Sequence, residues 1–263
     1  MKRKNLSLLL IGLILLAGLA VAVIALTSGG GADAGAVEAA NQLYAAGHYA
    51  EAALIYEEQL AFGVQDSALY YNLGNAYFQQ GDLGRAVLNL ERAAQLNPRD
   101  ADIQANLELV RGQTTELFAA EEAPGPVTVL ADATGWLTQN ETAVLVLALW
   151  FLFIFLVLGR RQAESDRARR LFQSAAIVVL VVLLISGISL ASRGFMEQTQ
   201  PSGVVVSPSV AVSSGPGAEF VTEFTVDGGT AVHVAEQQGK WLRLALPDGA
   251  EASWVPLEAV ELT

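Results

Sequence analysis

The chain has no cysteine and only two histidines, His48 and His233. Disulfide staples, thiolate metal sites and thiol redox chemistry are therefore excluded, although many exported proteins also lack disulfides and no compartment follows from this. A histidine-based metal site or catalytic triad would have to use one of these two residues. Neither has a nucleophile and an acid nearby in a recognisable pattern, so the expectation is a non-enzyme without metal or cofactor. Charge is missing from three long apolar runs, 6–27, 142–158 and 171–191. Cations are scarce in the two large polar stretches. Residues 28–141 carry four Arg against sixteen acids, and 193–263 carry three basic groups against nine acids. Both stretches are acidic, which argues against a nucleic-acid partner.

Mean hydropathy of +0.40 is high for a soluble protein, and the excess sits in those three runs. Lys2, Arg3 and Lys4 precede the first, so residues 1–27 read as an uncleaved membrane anchor or a signal peptide. The run approaches the ~20 residues that span a bilayer. Ala20-Val21-Ala22 is an alternative cleavage site. The second run follows Trp136, an interfacial residue type, and Thr138-Gln-Asn-Glu141, which fits a capping box. Membrane helices are expected over 138–159 and 171–192. The basic turn 160–170 between them holds Arg160, Arg161, Arg167, Arg169 and Arg170. Such loops stay cytoplasmic, as do Lys2, Arg3 and Lys4. These residues are the topology determinants, and they place both acidic regions outside the cytoplasm. Neither later run contains an ionisable group of the kind that lines ion or proton paths. Ser186, Gly187 and Ser189 offer a close-packing helix face.

A period of 34 residues organises the region before the second run. Gly47 with Ala52 recurs as Gly81 with Ala86. Residues 67–100 carry Tyr70, Leu73, Gly74, Tyr77, Ala86, Leu90, Ala93 and Pro98, and resemble the tetratricopeptide repeat consensus, with Tyr70 in place of the usual Trp. Gly74 and Ala86 are small where paired helices approach. Tyr70, Leu73, Tyr77 and Leu90 are expected in the core, Gly81-Asp82 makes the turn, and Pro98 ends the second helix. Residues 33–66 form a weaker copy with Tyr44, Gly47, Ala52 and Tyr56, and 101–112 read as one further first helix. The array over 33–112 is thus two repeats plus a capping helix. That is near the lower limit for a solenoid, so an added contact is expected. The resemblance implies a concave surface presenting Asn41, Asn72, Asn75 and Gln79 to a protein partner; their alternative role is to solvate the groove. Where some such repeats use cations to clamp a peptide carboxylate, this chain has Val37, Asp102 and Asn106, so that specificity is not expected.

Residues 113–137 read as a tether, and the segment from Arg193 to Gly203 as a shorter one. Beyond it, 203–263 alternate in short apolar runs: Gly203-Val-Val-Val, Ala231-Val-His-Val and Trp241 to Leu246. Turns fall at Ser214-Gly-Pro-Gly, Asp227-Gly-Gly and Pro247-Asp-Gly. The order Val212-Ser-Ser-Gly-Pro216, Gly229–Val234, Gly239–Leu244 and Ser253-Trp-Val-Pro256 resembles a bacterial SH3-like barrel. That resemblance implies a cell-wall glycan or peptide ligand, although Ser213 stands where an Arg is frequent. Leu242, Leu244 and Leu246 share the core face. Trp241 and Arg243 share the other, which makes Trp241 a candidate contact or a cover for the barrel edge. His233 is expected on the strand surface.

The expected fold class is therefore multidomain: all-α helical hairpins, transmembrane helices and a small all-β barrel. The whole order resembles BatE proteins of the Bacteroides-type aerotolerance operon. This implies partners among von Willebrand A or MoxR-associated membrane proteins, contact with membrane lipid, and a place in the bacterial cytoplasmic membrane. The alternative is a cell-envelope sensor binding wall glycan or peptide through the barrel.

Overall fold

In the computed structural model the described residues are 18, 31–114, 137–199, 201–245 and 253–263. The N-terminal run, Trp136, most of the expected tether, Leu246 and the Pro247-Asp-Gly turn lie outside them. The chain divides into two compact units: one contains the long apolar helices, the other the helical array and the C-terminal strands.

The array consists of α1 (Ala34–Ala45), α2 (Tyr49–Ala61), α3 (Ser67–Gln80), α4 (Leu83–Leu96) and α5 (Ala101–Arg111), each packed on the next. An aspartate starts four of these helices. Asp33 accepts from the Gly35 N–H at 2.8 Å, Asp66 from Ala68 at 2.7 Å, Asp82 from Arg85 at 3.1 Å and Asp100 from Asp102 at 3.0 Å. Each satisfies N–H groups that a helix leaves unpaired at its start. Gly47 and Gly81 close the first helix of each hairpin with φ of 86° and 79°, a backbone state that favours glycine. Gly74 marks the tightest approach within the second hairpin, where a Cβ would come within 2.8 Å of Leu90 Cγ. Leu73, Tyr77, Ala86, Leu90 and Ala93 are buried as expected. Tyr70 is not. It is half-exposed, and Leu69, one helical turn before Leu73 on the same face, takes the buried place beside it.

The C-terminal strands form one antiparallel sheet: β1 (Ser202–Val205), β2 (Ser209–Ser213), β3 (Thr222–Asp227), β4 (Ala231–Gln238), β5 (Trp241–Ala245), β6 (Ser253–Pro256) and β7 (Val260–Leu262), in the order β3-β2-β6-β5-β4-β1-β7. Its core holds Val205, Val210, Val212, Val226, Val232, Val234, Leu242, Leu244 and Val255. A closed barrel is not formed: among the described residues β3 and β7 remain edges. The strand β2 is bulged against β3 at Val212/Ser213 and meets β6 only at Ser213 with Trp254, so the sheet is weakly joined there. The Leu262 carbonyl on short β7 accepts from Arg92 Nη2 at 2.7 Å.

In the other unit, α6 (Gln139–Gln162) begins with the capping box read from the sequence. Glu141 N–H donates to Thr138 Oγ1 at 3.1 Å, and Thr138 N–H donates to Glu141 Oε2 at 3.0 Å. Helix α7 (Asp166–Thr199) has 34 residues, about 51 Å at 1.5 Å per residue. The basic turn is therefore much shorter than 160–170. Arg160 and Arg161 lie in the last turn of α6, and Arg167, Arg169 and Arg170 lie in α7. Likewise the expected connection from Arg193 is helical through Thr199. At the turn, Gly159 admits the Phe172 ring, where a Cβ would sit 2.8 Å from Cε1. At the other end Arg193 Nη1 donates to the Leu137 carbonyl at 2.9 Å, which fixes the two helices antiparallel. Ala176, Leu183, Ser186 and Ser189 are buried along one seam of α7. Gly187 has open space beside it. Both helices are long and apolar enough to cross a membrane. Only 11% and 22% of their most apolar stretches is buried, unlike core helices of a soluble domain.

Candidate functional groove

Residues one helical turn apart on α3 share a face, so Tyr71, Asn72, Asn75, Phe78 and Gln79 form a continuous strip. Asn41 and Tyr44 of α1 flank it on one side, and Asn106, Leu109 and Val110 of α5 on the other. With Tyr56 of α2 they line a cleft of ≈ 560 Å³. All four array residues singled out in the sequence, Asn41, Asn72, Asn75 and Gln79, are brought together here.

The carboxamides do not stand as isolated solvated groups. Asn41 Oδ1 accepts from the Tyr56 hydroxyl at 2.6 Å and from Asn72 Nδ2 at 3.3 Å. Asn75 Oδ1 accepts from Asn106 Nδ2 at 2.8 Å, and the same amide donates to the Tyr71 hydroxyl at 3.0 Å. Gln79 hydrogen-bonds the Tyr44 hydroxyl. These bonds join α1, α2, α3 and α5 across the cleft. The Asn41 and Asn75 N–H₂ groups bond nothing among the described residues.

No lining residue is charged at neutral pH. Burial pushes the Tyr56 hydroxyl up to about 12, with Tyr44 adding to the shift. Burial also raises Tyr44. Both rings therefore stay neutral and keep a proton to donate. The cleft accordingly offers amide donors and acceptors beside aromatic faces, with Leu109 54% exposed at its margin. It has no cation to hold a carboxylate. This agrees with the sequence, where Val37, Asp102 and Asn106 occupy the positions that would supply one.

Behind the cleft, Tyr77 donates its hydroxyl proton to Glu57 of α2. The Arg85 guanidinium lies 5.4 Å from the Tyr77 ring centroid. Burial, followed by the Glu57 hydrogen bond, raises the Tyr77 hydroxyl far above its ordinary value. The pair ties the two hairpins together.

Trp241 lies elsewhere, half-exposed on β5, paired with Pro256 and Gln238. Arg243 shares its outward face and ion-pairs with Glu236 at 3.1 Å. His233 is exposed on β4, as expected. His48 Nδ1 sits 2.9 Å from Glu51 beside the first turn. Among the described residues no cluster of His, Asp and Glu has the form of a metal site.

The consensus reading missed Tyr71, Phe78 and Leu109. The first two were detectable: Tyr71 lies four residues before Asn75, and Phe78 lies seven after Tyr71. Leu109 stands three positions beyond Asn106 on α5.

Residues 67–100 match the tetratricopeptide repeat family model. The matched segment covers α3 and α4 with their flanking turns. No curated protein matches the chain.

Proposed function

We propose that this protein is a membrane-anchored, non-enzymatic scaffold whose repeat groove holds an extended segment of a protein partner on the extracytoplasmic side. The groove chemistry carries this reading. Paired amide donors and acceptors match a peptide main chain, and the Tyr44, Tyr71 and Phe78 rings with Leu109 match an uncharged side chain. Asn41, Asn72, Asn75 and Gln79 are the contact residues. The apolar hairpin and the N-terminal run anchor the protein. Lys2, Arg3, Lys4, Arg160, Arg161, Arg167, Arg169 and Arg170 keep their ends in the cytoplasm. The resemblance to BatE proteins points to von Willebrand A or MoxR-associated membrane proteins as partners, within a stress or aerotolerance complex.

The test is a photo-crosslinking amino acid at Gln79 in native membranes. One dominant protein partner, lost when Asn72 and Asn75 are both changed to Ala, supports the scaffold. Crosslinks to lipid alone, or partners unaffected by the double change, reject it.

A second reading rests on Trp241 and Arg243, which share an outward face of β5 in the C-terminal sheet, and on the resemblance of that segment to an SH3-like domain. There the protein is an envelope sensor that takes wall glycan or peptide. Retention of the detergent-solubilised chain on purified wall material, abolished by Trp241→Ala, would favour it over the scaffold.

A further inference from the structure

Neighbouring valines of β1 enter different cores. Val205 packs among the sheet valines, whereas Val204, fully buried, belongs to the core of the helical array together with Leu88, Val87 and Val110. Alternation along a strand points successive side chains to opposite faces, so β1 is covered on both. Helix α4 is likewise covered on two sides. Ala86, Leu90 and Ala93 are buried, and so are Gly84, Val87 and Leu88.

Gly84 shows how close the covering is. A Cβ there would come within 2.7 Å of the Val205 carbonyl oxygen and 2.8 Å of Val206 Cα. These are main-chain atoms, which cannot swing aside. Glycine is a poor helix former, and the approach of β1 accounts for its presence in the first turn of α4. About two helical turns further along, polar contacts continue the same stripe. Arg92 Nη2 reaches Glu261 Oε1 at 3.0 Å and the Leu262 carbonyl at 2.7 Å. Glu91, largely buried, is held by Arg111 Nη2 at 2.7 Å. Residues 84, 88, 91 and 92 fall on one face of α4.

We propose that the β module is the terminal cap of the repeat array, with its first and last strands seated on the outer face of α4. The occupant of that face is this chain's own C-terminal sheet, through β1 and β7. The seat also reaches the groove. Arg111, fixed at the seat by Glu91, follows directly on Val110, which lines the cleft. A seated module therefore holds α5 in place as a groove wall. A solenoid this short lacks the neighbouring repeat that would cover its last apolar surface, and the module supplies that cover.

The test is hydrogen exchange of the full-length protein in lipid nanodiscs. Gly84→Leu is expected to speed exchange in β1 and α5 at least about tenfold, with α1 and α2 much less affected. A second arm guards against simple loss of the α4 fold. Arg92→Glu is expected to speed β7 exchange about twofold to fivefold, and adding Glu261→Arg to restore it. Unchanged β1 and α5 protection in Gly84→Leu would overturn the proposal. So would a global loss of protection in Gly84→Leu combined with no rescue by the charge swap.

Discussion

The Asn106 amide of α5 donates to the Asn75 carbonyl oxygen of α3 at 2.8 Å, and this bond closes one wall of the groove. Asn106→Leu removes the donor and leaves Asn75 and the Tyr71 hydroxyl without their partner. A hydrogen bond of this kind contributes about 0.5–1.5 kcal/mol. Amide exchange in α5 of the full-length protein should rise by roughly threefold to tenfold. Photo-crosslinking from Gln79 should fall along with it. Unaltered crosslinking would mean that the α5 wall plays no part in holding the partner.

The Tyr56 hydroxyl, held up at about 12 by burial, makes the array sensitive to alkali. Between the ordinary tyrosine value of 10 and that raised value, the folded chain keeps a proton that the unfolded chain releases. The contribution to stability is complete below pH 10 and is lost as pH rises through the folded value. Burial raises Tyr77 in the same direction. Helical circular dichroism of the detergent-solubilised chain should therefore decline between pH 10 and 12. Tyr56→Phe, lacking this proton, should show a shallower decline from a lower starting stability, because Asn41 loses a hydrogen-bond donor.

Much of this was legible because its chemistry is local. Gly47, Gly81 and Gly74 mark stereochemical requirements that few other residues meet, and Asn72, Asn75 and Gln79 fall on one face by spacing alone. Thr138 and Glu141 announce a helix start within four residues. The aspartates 33, 66 and 100 recur as helix caps at spacings of 33 and 34 residues, close to the hairpin period, a signal present in the sequence that the consensus positions overshadowed. Strand β3 was not legible, since only Val226 among Thr222–Asp227 is fully buried and the alternation is faint. The seat on α4 was illegible for a different reason. Gly84 and Val205 are 121 positions apart, and nothing local to either one names the other. The unbroken Val204-Val205-Val206 run did carry half the message, because a strand apolar on both faces needs two covers.

Glu91 supplies a pH dependence opposite to that of a usual surface carboxylate. Burial raises its affinity for protons, and the Arg111 hydrogen bond only partly offsets this. The folded chain then binds the proton more tightly than the unfolded one. The stability from this group is greatest below the ordinary glutamate range and declines as pH rises through the raised folded value. Glu91→Gln removes that dependence while keeping an oxygen to accept from Arg111. The ratio of α4 exchange rates, variant to parent, should fall as pH increases from 4 to 7. A flat ratio would mean that Glu91 has the same proton affinity folded and unfolded.

The absence of cysteine makes the proposed orientation directly measurable, because any introduced thiol is the only one in the chain. Ser165 lies in the short turn between α6 and α7, flanked by the five arginines. Asp66 caps α3, and Glu258 is exposed beside β7. If basic residues hold the turn in the cytoplasm, Ser165→Cys in intact spheroplasts should resist a membrane-impermeant maleimide and react only after lysis. Glu258→Cys should react before lysis. Asp66→Cys should do so as well, at about 0.5–2 kcal/mol lower array stability from the lost cap. Both array and sheet must label from the same side, since α6 and α7 would cross the bilayer once each between them. Labelling of Ser165→Cys in intact cells, with the other two protected, would reverse the orientation. The groove would then have to find its partner in the cytoplasm.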